Sequence, residues 1–405
     1  MILRNRGLLA LLVAEVVSRT GSQMTFVALP WFVLVTTGSP AKMGIVLACE
    51  LAPAALLGIP SGMLVSRYGA RTTMLGADLA RVPLMASVPV LHAAGLLSFP
   101  VLLVLVAALG TFAAPYFASQ RVILPELIGN EQREVSQANS VLEGASQTSV
   151  LLGPPLAGVL IATLGAANVL YVDAATFAFS FVVVLLFVPA RKRVAATEEQ
   201  GGLLAGVRFL LRDALMGPLA SVAVLLNALV QMLVATIPVL AFERYGDAKI
   251  AGWLFAAFGL GGLIGTVIAF QLVKRMEPLV LASLAALGFA LPLWVLTAHV
   301  PLAAILATIV VAAICGPLMN APMFGVLTTR TPEALLPKVM TAVVTLATVA
   351  GPLGLVLAGF LIDRTGLTTT FMIIAAGVTC VSLFFVALLT RFRRREAGEA
   401  AAAAG

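Results

Sequence analysis

Residues 92–126 read HAAGLLSFPVLLVLVAALGTFAAPYFASQRVILPE, and residues 299–333 read HVPLAAILATIVVAAICGPLMNAPMFGVLTTRTPE. Each sets an uncharged run, longer than the ~20 residues a membrane-crossing helix needs, between a histidine and a Pro-Glu pair. The two stretches also match each other. His92, Pro115, Phe117, Pro125 and Glu126 recur 207 residues later as His299, Pro322, Phe324, Pro332 and Glu333. Working outward, Gly44, Leu64, Val65 and Arg67 recur 208 residues later as Gly252, Leu272, Val273 and Arg275, and Gly153-Pro154 pairs with Gly351-Pro352. Shared apolar letters mean little in so apolar a chain, but a matched histidine and a matched Pro-Glu pair are harder to produce by chance. The chain reads as a duplicated block of membrane helices.

Composition supports the same solvent. Of 405 residues, 61% are hydrophobic and 11% charged, with a mean hydropathy of +1.08. Soluble chains carry about a quarter charged residues, so a bilayer is the compatible medium. Uninterrupted apolar blocks, without ten-residue alternation, favour helices over barrel strands. The blocks fall near 8–37, 42–65, 72–95, 98–122, 135–164, 167–188, 218–242, 250–273, 279–297, 301–327, 339–362 and 369–390. The expected fold is therefore an all-α membrane protein of twelve transmembrane helices in two pseudo-symmetric six-helix halves. Such parallel repeats imply a pseudo-two-fold axis along the membrane normal, a cavity between halves and alternating access by rocking.

Several function classes are excluded. Cys49, Cys315 and Cys380 lie in apolar blocks without Cys-x-x-Cys spacing, and His92 and His299 are the two histidines. A disulfide framework, a metal site and a cofactor are not expected. No ATP-binding motif or catalytic constellation appears, so the chain does not read as an enzyme. The net charge of +7 comes from residues scattered at span ends without clustered aromatics, which argues against nucleic acid. Arg4 and Arg6 before LLALLVA resemble a signal peptide, but Glu15 and Arg19 interrupt the apolar run, so this is the first span.

Charge sets orientation. With both termini cytoplasmic, 19 of the 25 Lys and Arg fall on the inside and four, Lys42, Arg244, Lys249 and Arg364, on the outside. That bias follows the positive-inside rule and places the chain in the cell (inner) membrane with both ends inside. The domain reading is 1–188 for the first half, 189–217 for a cytoplasmic linker, 218–395 for the second half and 396–405 for an alanine-rich disordered tail. Within the linker, Leu203, Leu204, Val207, Leu210 and Leu211 recur at helical spacing, as in a surface-lying amphipathic helix.

At this point the chain resembles the major facilitator superfamily, and within it the drug- and siderophore-exporter branch that includes macrolide-efflux and enterobactin-exporter proteins. The resemblance rests on SRTGSQMTFVALPWFVLVTTGSP (18–40), SGMLVSRYGAR (61–71), SQRVILPELIGNEQREVSQANSVLEGASQ (119–147), LLGPPLAGVLIATLG (151–165) and YVDAATFAFSF (171–181). The family's loop motif between spans two and three maps onto Gly62, Ser66, Arg67, Gly69 and Arg71, with serine where the family has aspartate. Its span-five antiporter motif maps onto Ser149, Gly153, Pro154, Ala157 and Gly158, with two glycines replaced by small residues. A complete loop motif at Gly359, Asp363, Arg364 and Gly366 falls on the expected outer side. The intramembrane arginine that many proton-coupled relatives carry in span four has no counterpart here.

Polar residues within spans supply the candidate sites. Glu15, Arg19 and Gln23 lie four residues apart on one face of span one, and Asn139, Glu143 and Gln147 repeat that spacing on span five. Arg19 is placed to serve both carboxylates, either as a structural network fixing helix packing or as a functional one. Glu50 has no opposite charge at helical spacing, so it either takes up a proton readily or faces a watery cavity. Asp78 and Arg81 form a structural pair, and Asp173 is expected to cap or pair locally near a span end. Asn227, Gln231 and Asn320 read as cavity hydrogen-bonding groups or as interhelical contacts. Met24, Met232, Met319, Met323, Phe26, Phe112, Phe117 and Phe324 could line an adaptable apolar pocket.

The sequence-level expectation is a monomeric secondary transporter whose partners are a small amphipathic substrate, the bilayer and protons, the last carried by Glu50, Glu143 or Glu15. An uptake facilitator or metabolite carrier of the same fold is the alternative, and a non-transporting scaffold or receptor is the alternative from another class. The orientation is tested directly: Thr197→Cys and Gly398→Cys should react with impermeant thiol reagents only from the cytoplasmic side, and labelling of intact cells from outside would reverse the topology.

Overall fold

A membrane interior offers backbone groups no water, so a chain that crosses it must close its hydrogen bonds within each segment. The computed structural model, which describes residues 5–129, 131–189, 208–210, 213, 216–332 and 335–404, meets that demand with helices. They are α1 (Arg6–Thr37), α2 (Pro40–Leu56), α3 (Gly58–Tyr68), α4 (Ala70–Ala93), α5 (Phe99–Ile128), α6 (Gln132–Leu164) and α7 (Ala166–Phe187). After the linker come α8 (Met216–Tyr245), α9 (Ala248–Leu272), α10 (Pro278–Leu293, extended by a 3-10 turn, Trp294–Thr297), α11 (Leu302–Arg330), α12 (Leu336–Thr365) and α13 (Leu367–Ala404). Of the described linker positions only 208–210 belong to the expected amphipathic helix; the rest of it lies outside the described residues.

Ten of these helices are long and apolar enough to cross a membrane by length and composition. The other two spans are α1, whose apolar run is diluted by Glu15, Arg19 and Gln23, and the pair α2 and α3, which share one span. The second span is broken where the sequence reading has it continuous. Pro60 has no N–H to give to the Leu56 carbonyl, and Gly58 adds flexibility, so α2 ends at Leu56 and α3 restarts beyond Leu57. At the other end of the chain, α13 runs on to Ala404 through the stretch expected to be disordered, alanine being the strongest helix former.

Two compact units result, Met1–Glu198 with Ile237–Ala256, and Glu199–Thr236 with Ala257–Gly405. In the first, α1 packs on α6 and α7, α4 on α5 and α7, and α2 and α3 on α5. The core at the amino-terminal end of α1 is built from Leu8, Leu11, Met74, Tyr116, Ile123, Leu124 and Val184. Residues 237–256 join this unit through Trp31 against Phe242, centroids 5.5 Å apart, and Phe26 against Phe255 at 5.3 Å. In the second unit α10 packs on α11 and α13, and α12 on α13. Gly261 and Gly265 of α9, four apart on one face, abut the backbone of α11 at Val310 and Ile314 so closely that a Cβ at either would collide. Bilayer helices lack a hydrophobic reason to associate, and such small-residue contacts replace it with close backbone packing.

Polar fasteners hold the ends of the first unit. Asn5 caps α1, its Oδ1 accepting from the Gly7 and Leu8 amides at 3.0 and 3.2 Å, while its Nδ2 donates to the Leu127 carbonyl of α5 at 3.0 Å. Arg71, at the start of α4, donates from Nε to the Val188 carbonyl at 2.6 Å and from Nη2 to the Leu185 carbonyl at 2.8 Å. A cation is thereby placed on the carbonyl end of α7, where the helix dipole favours it. Gly69, at φ +85°, makes the turn that delivers Arg71, in a backbone region L residues rarely adopt. Ser66 caps no helix; its hydroxyl donates to the Met63 carbonyl of its own helix at 2.9 Å and is exposed. Arg67 lies 5.5 Å from the Tyr68 ring centroid, and Gly62 has open space around it.

These contacts give unequal expectations for thermal unfolding in detergent. Arg71→Ala should lose about 1–3 kcal/mol, since it strips charged donors from two carbonyls, whereas Ser66→Ala should stay within about 0.5 kcal/mol. Gly21→Ala should also lose about 1–3 kcal/mol, because its Cβ would collide with Thr176 and Asp173. Gly62→Ala, with nothing near, should not be destabilised.

Candidate functional site

Ionisable groups placed at membrane depth must find partners inside the bundle or stay protonated. The stripe Glu15, Arg19, Gln23 shows how α1 distributes its own. Glu15 is buried and accepts a hydrogen bond from Gln120 Nε2 of α5. Arg19 places its guanidinium 4.8 Å from the Phe117 ring centroid, and its Nε is buried without a hydrogen-bond partner. Gln23 packs its Cβ on Gly153 of α6.

Arg19 does not bridge Glu15 and Glu143 as the sequence spacing suggested. Among the described residues no carboxylate lies within salt-bridge distance of it, although it acts on Glu15 electrostatically. The reason is the rotation of α6. The face that meets α1 carries Ser149, which shares hydrogen bonds with Thr20 Oγ1 at 3.1 Å and the Val16 carbonyl at 3.2 Å. Glu143 lies six residues earlier, roughly 240° around the helix, and is exposed with Gln147 Nε2 donating to it at 3.0 Å. Asn139 is exposed as well.

Asp78 and Arg81 do pair, at 2.5 Å. Arg81 is enclosed by Tyr116 of α5 and Phe177 of α7, each ring centroid 4.3 Å from its guanidinium carbon. The second Asp78 oxygen accepts from Ser180 Oγ at 2.7 Å, and Ser180 lies 3.3 Å from the Tyr116 hydroxyl. One ion pair thus joins α4, α5 and α7, with the aromatic faces supplying negative potential around a desolvated cation.

Asp173, expected to cap or pair locally, meets its neighbour Thr176 and also reaches across to α1. It is fully buried and accepts from Thr25 Oγ1 of α1 at 2.6 Å, while the Thr176 hydroxyl lies 2.7 Å from the Asp173 backbone carbonyl and 3.0 Å from its Oδ1, its one proton shared between them. The signal was present in YVDAATFAFS: Asp173, Thr176, Phe177 and Ser180 share one face of α7 at helical spacing, and that face turns inward. Among the described residues, Glu50 of α2 has a buried Oε2 without a hydrogen-bond partner.

The span-five glycines serve close approach. Gly153 admits Gln23, Gly158 meets the backbone of Lys249, and the Pro154 carbonyl abuts Gly252 at the start of α9. A corresponding contact recurs in the second unit, where Gln231 of α8 packs beside Gly351 of α12. Gln231 and Gly351 are the repeat counterparts of Gln23 and Gly153, so the duplication extends to a side-chain contact.

The second unit contains a cavity of about 490 Å³. Asn227 and Asn320 supply amides, and Met319, Met323, Phe258 and Phe289 supply apolar wall. No charged side chain is among its described lining residues. Of the aromatic and methionine candidates, Phe324 also lines it, whereas Met24 and Met232 are buried in helix packing and Phe26 meets Phe255 edge to face. Among the described residues no cluster of metal-ligating side chains occurs.

Comparison with known proteins accords with this geometry. The profile of the Major Facilitator Superfamily matches residues 11–249 and 222–405. The multidrug efflux pump Tap of Mycolicibacterium fortuitum is 30% identical over 378 residues, 90% of this chain and 91% of the relative. The pump of the same name from Mycobacterium tuberculosis H37Rv is 28% identical over 395 residues, 95% and 94% of the two chains. Among solved structures, the nucleoside transporter NupG aligns with a TM-score of 0.76 at 12% identity, over 94% of this chain and 98% of its own. A bacterial homologue of the iron transporter ferroportin, in an inward-facing state, aligns with a TM-score of 0.70 at 16% identity, over 95% and 98%. At such identities the structural matches speak for the fold, while the profile and the full-length relatives fix the family: the chain belongs to the Major Facilitator Superfamily and is a multi-pass membrane transporter.

Proposed function

We propose that this transporter exports amphipathic small molecules across the cell membrane and draws on the proton gradient, through alternating access with both termini cytoplasmic. The observation that carries the reading is the cavity of the second unit. Its walls are apolar and deformable, its polar contribution is two amides, and no formal charge is placed there. Methionine and phenylalanine walls re-pack around differently shaped apolar bodies, and amides can donate or accept, which suits variable amphipathic ligands better than a fixed polar solute. The full-length similarity to proteins named multidrug efflux pumps supports export as the direction.

Proton coupling rests on the first unit. A carrier must change protonation state during the cycle, and Glu50, whose buried Oε2 has no hydrogen-bond partner and no cation within salt-bridge distance among the described residues, is the carboxyl group best suited to it. Glu15 is tied to Gln120 with Arg19 close by, and Glu143 is exposed beside Gln147, which makes them secondary candidates.

The test uses purified protein in liposomes with an imposed pH gradient and a panel of macrolides, siderophores and lipophilic cations. Gradient-driven accumulation of one or more compounds is expected in the wild type. Glu50→Gln should abolish that accumulation while leaving equilibrium binding intact, and Asn320→Leu should weaken binding without removing the response to the gradient. Normal driven transport by Glu50→Gln from mildly acidic to mildly basic pH would refute the assignment of the carrier.

A further inference from the structure

The cations of the first unit differ in what they hold. Arg81 is paired with Asp78, Arg71 donates to the Val188 and Leu185 carbonyls, and Lys42 is turned to the Phe99 ring. Arg19 is left without an acceptor. Its Nε is buried with no hydrogen-bond partner, and among the described residues no carboxylate lies within salt-bridge distance of it. It stands roughly 20 Å from the Arg6 end of α1 and 27 Å from the Thr37 end, at membrane depth. Glu15, one turn earlier, is bonded to Gln120 instead, so it offsets the Arg19 charge from a distance and leaves the guanidinium fork unfilled. The contact Arg19 does make is with the Phe117 ring, 4.8 Å to the centroid. An aromatic face attracts the cation but does not take up its in-plane N–H groups.

The internal repeat says what these side chains face. The counterparts of Arg19 and Phe117 are Asn227 and Phe324, 208 and 207 residues further on, and both line the cavity of the second unit. Ala223 and Leu327, the counterparts of Glu15 and Gln120, line it too. The Gln-on-Gly contact shared by both halves fixes this register for α1 and α8. Exposure agrees, since Phe117 and Phe324 are each 41% exposed. The duplicated fold therefore turns the same faces of α1 and α5 toward ligand space, and at this position the first half has a guanidinium where the second has an amide.

We propose that Arg19 and Phe117 form a binding site for the anionic end of an amphipathic substrate, a carboxylate or sulfonate on an apolar body. The guanidinium takes two oxygens of the anion, a geometry that arginine matches in a bidentate way, and the ring covers the adjoining carbon skeleton. Glu15 repels the incoming charge, but from a turn away, whereas the charged hydrogen bonds are in contact. The inference rests on the export reading above and names one charge class among its substrates.

Naphthylacetate and naphthylacetamide share an aromatic body and differ in charge. Binding of each tritiated compound is measured on the full-length protein in phosphatidylcholine liposomes, which supply no anionic lipid. The wild type should prefer the carboxylate by about tenfold or more. Arg19→Gln should lose that preference while still binding the amide, which also reports that the variant is folded. Arg19→Lys should recover part of it, as a point charge without the fork. Glu15→Gln should tighten the carboxylate, and Phe117→Leu should weaken both compounds. A second measurement needs no variant. Phenylglyoxal, an arginine-selective reagent, should modify Arg19 and spare Arg81, as read by peptide mass, and naphthylacetate but not the amide should protect Arg19. Equal binding of the two compounds by the wild type, a preference that survives Arg19→Gln, or an Arg19 that phenylglyoxal does not reach or naphthylacetate does not protect would overturn the site. Protection of Arg19 in a protein that drives none of the tested compounds across the liposome membrane would leave the site standing and overturn the export reading instead.

Discussion

Desolvation is the constraint from which this structure follows. Inside hydrocarbon, an unmatched polar group costs several kcal/mol, and nearly every interior feature is a way of avoiding that cost. Backbone groups are closed within helices, and threonines such as Thr20 and Thr36 turn their hydroxyls back to carbonyls one turn earlier, at 2.6 and 2.7 Å. The Arg81 cation is placed between two aromatic faces with a carboxylate in contact. Helices that cannot gain from excluding water are brought together instead by glycines, as at Gly261 and Gly265 against α11.

The division between the halves follows from the same constraint. Duplication gave both halves a Gln-on-Gly contact, Gln23 with Gly153 and Gln231 with Gly351. One turn earlier on the same helix face, the first half carries Arg19 and the second its counterpart Asn227. The first unit holds Glu15, Asp78, Arg81 and Asp173 in helix interfaces, whereas Asn227 lines a cavity without formal charge among its described lining residues. A cavity with neutral walls avoids the desolvation of a resident charge each time a ligand replaces water.

Much of this was legible in the sequence because the bilayer simplifies the code. Long apolar runs, the repeat of His92 and Pro125-Glu126, and the Asp78–Arg81 spacing each had few readings, and the helices fall close to the expected spans. The break at Leu57 was also written there, in Pro60, but an apolar run hides a lost hydrogen bond. Rotation was not legible. Helical spacing puts Glu143 on a stripe with Asn139 and Gln147, yet it does not say which way that stripe faces; Ser149 and Gly153 decided it by packing on α1. Asp173 looked peripheral because only three-dimensional packing shows that Thr25, 148 residues away, reaches it.

The enclosure of Arg81 has a consequence for how this lineage can change. Replacing Asp78 first would strand a guanidinium between Tyr116 and Phe177; replacing Arg81 first would strand a carboxylate left, among the described residues, with the Ser180 hydroxyl as its donor. Breaking a buried pair from either side costs about 3–5 kcal/mol, a large share of the roughly 5–15 kcal/mol by which folded domains typically exceed their unfolded state. A neutral, well-packed replacement for both residues is often no less stable than such a pair, but single steps toward it pass through a poorly folded protein. Asp78 and Arg81 are therefore held in place by the inaccessibility of alternatives, and descendants of this chain should keep them together or lose them together.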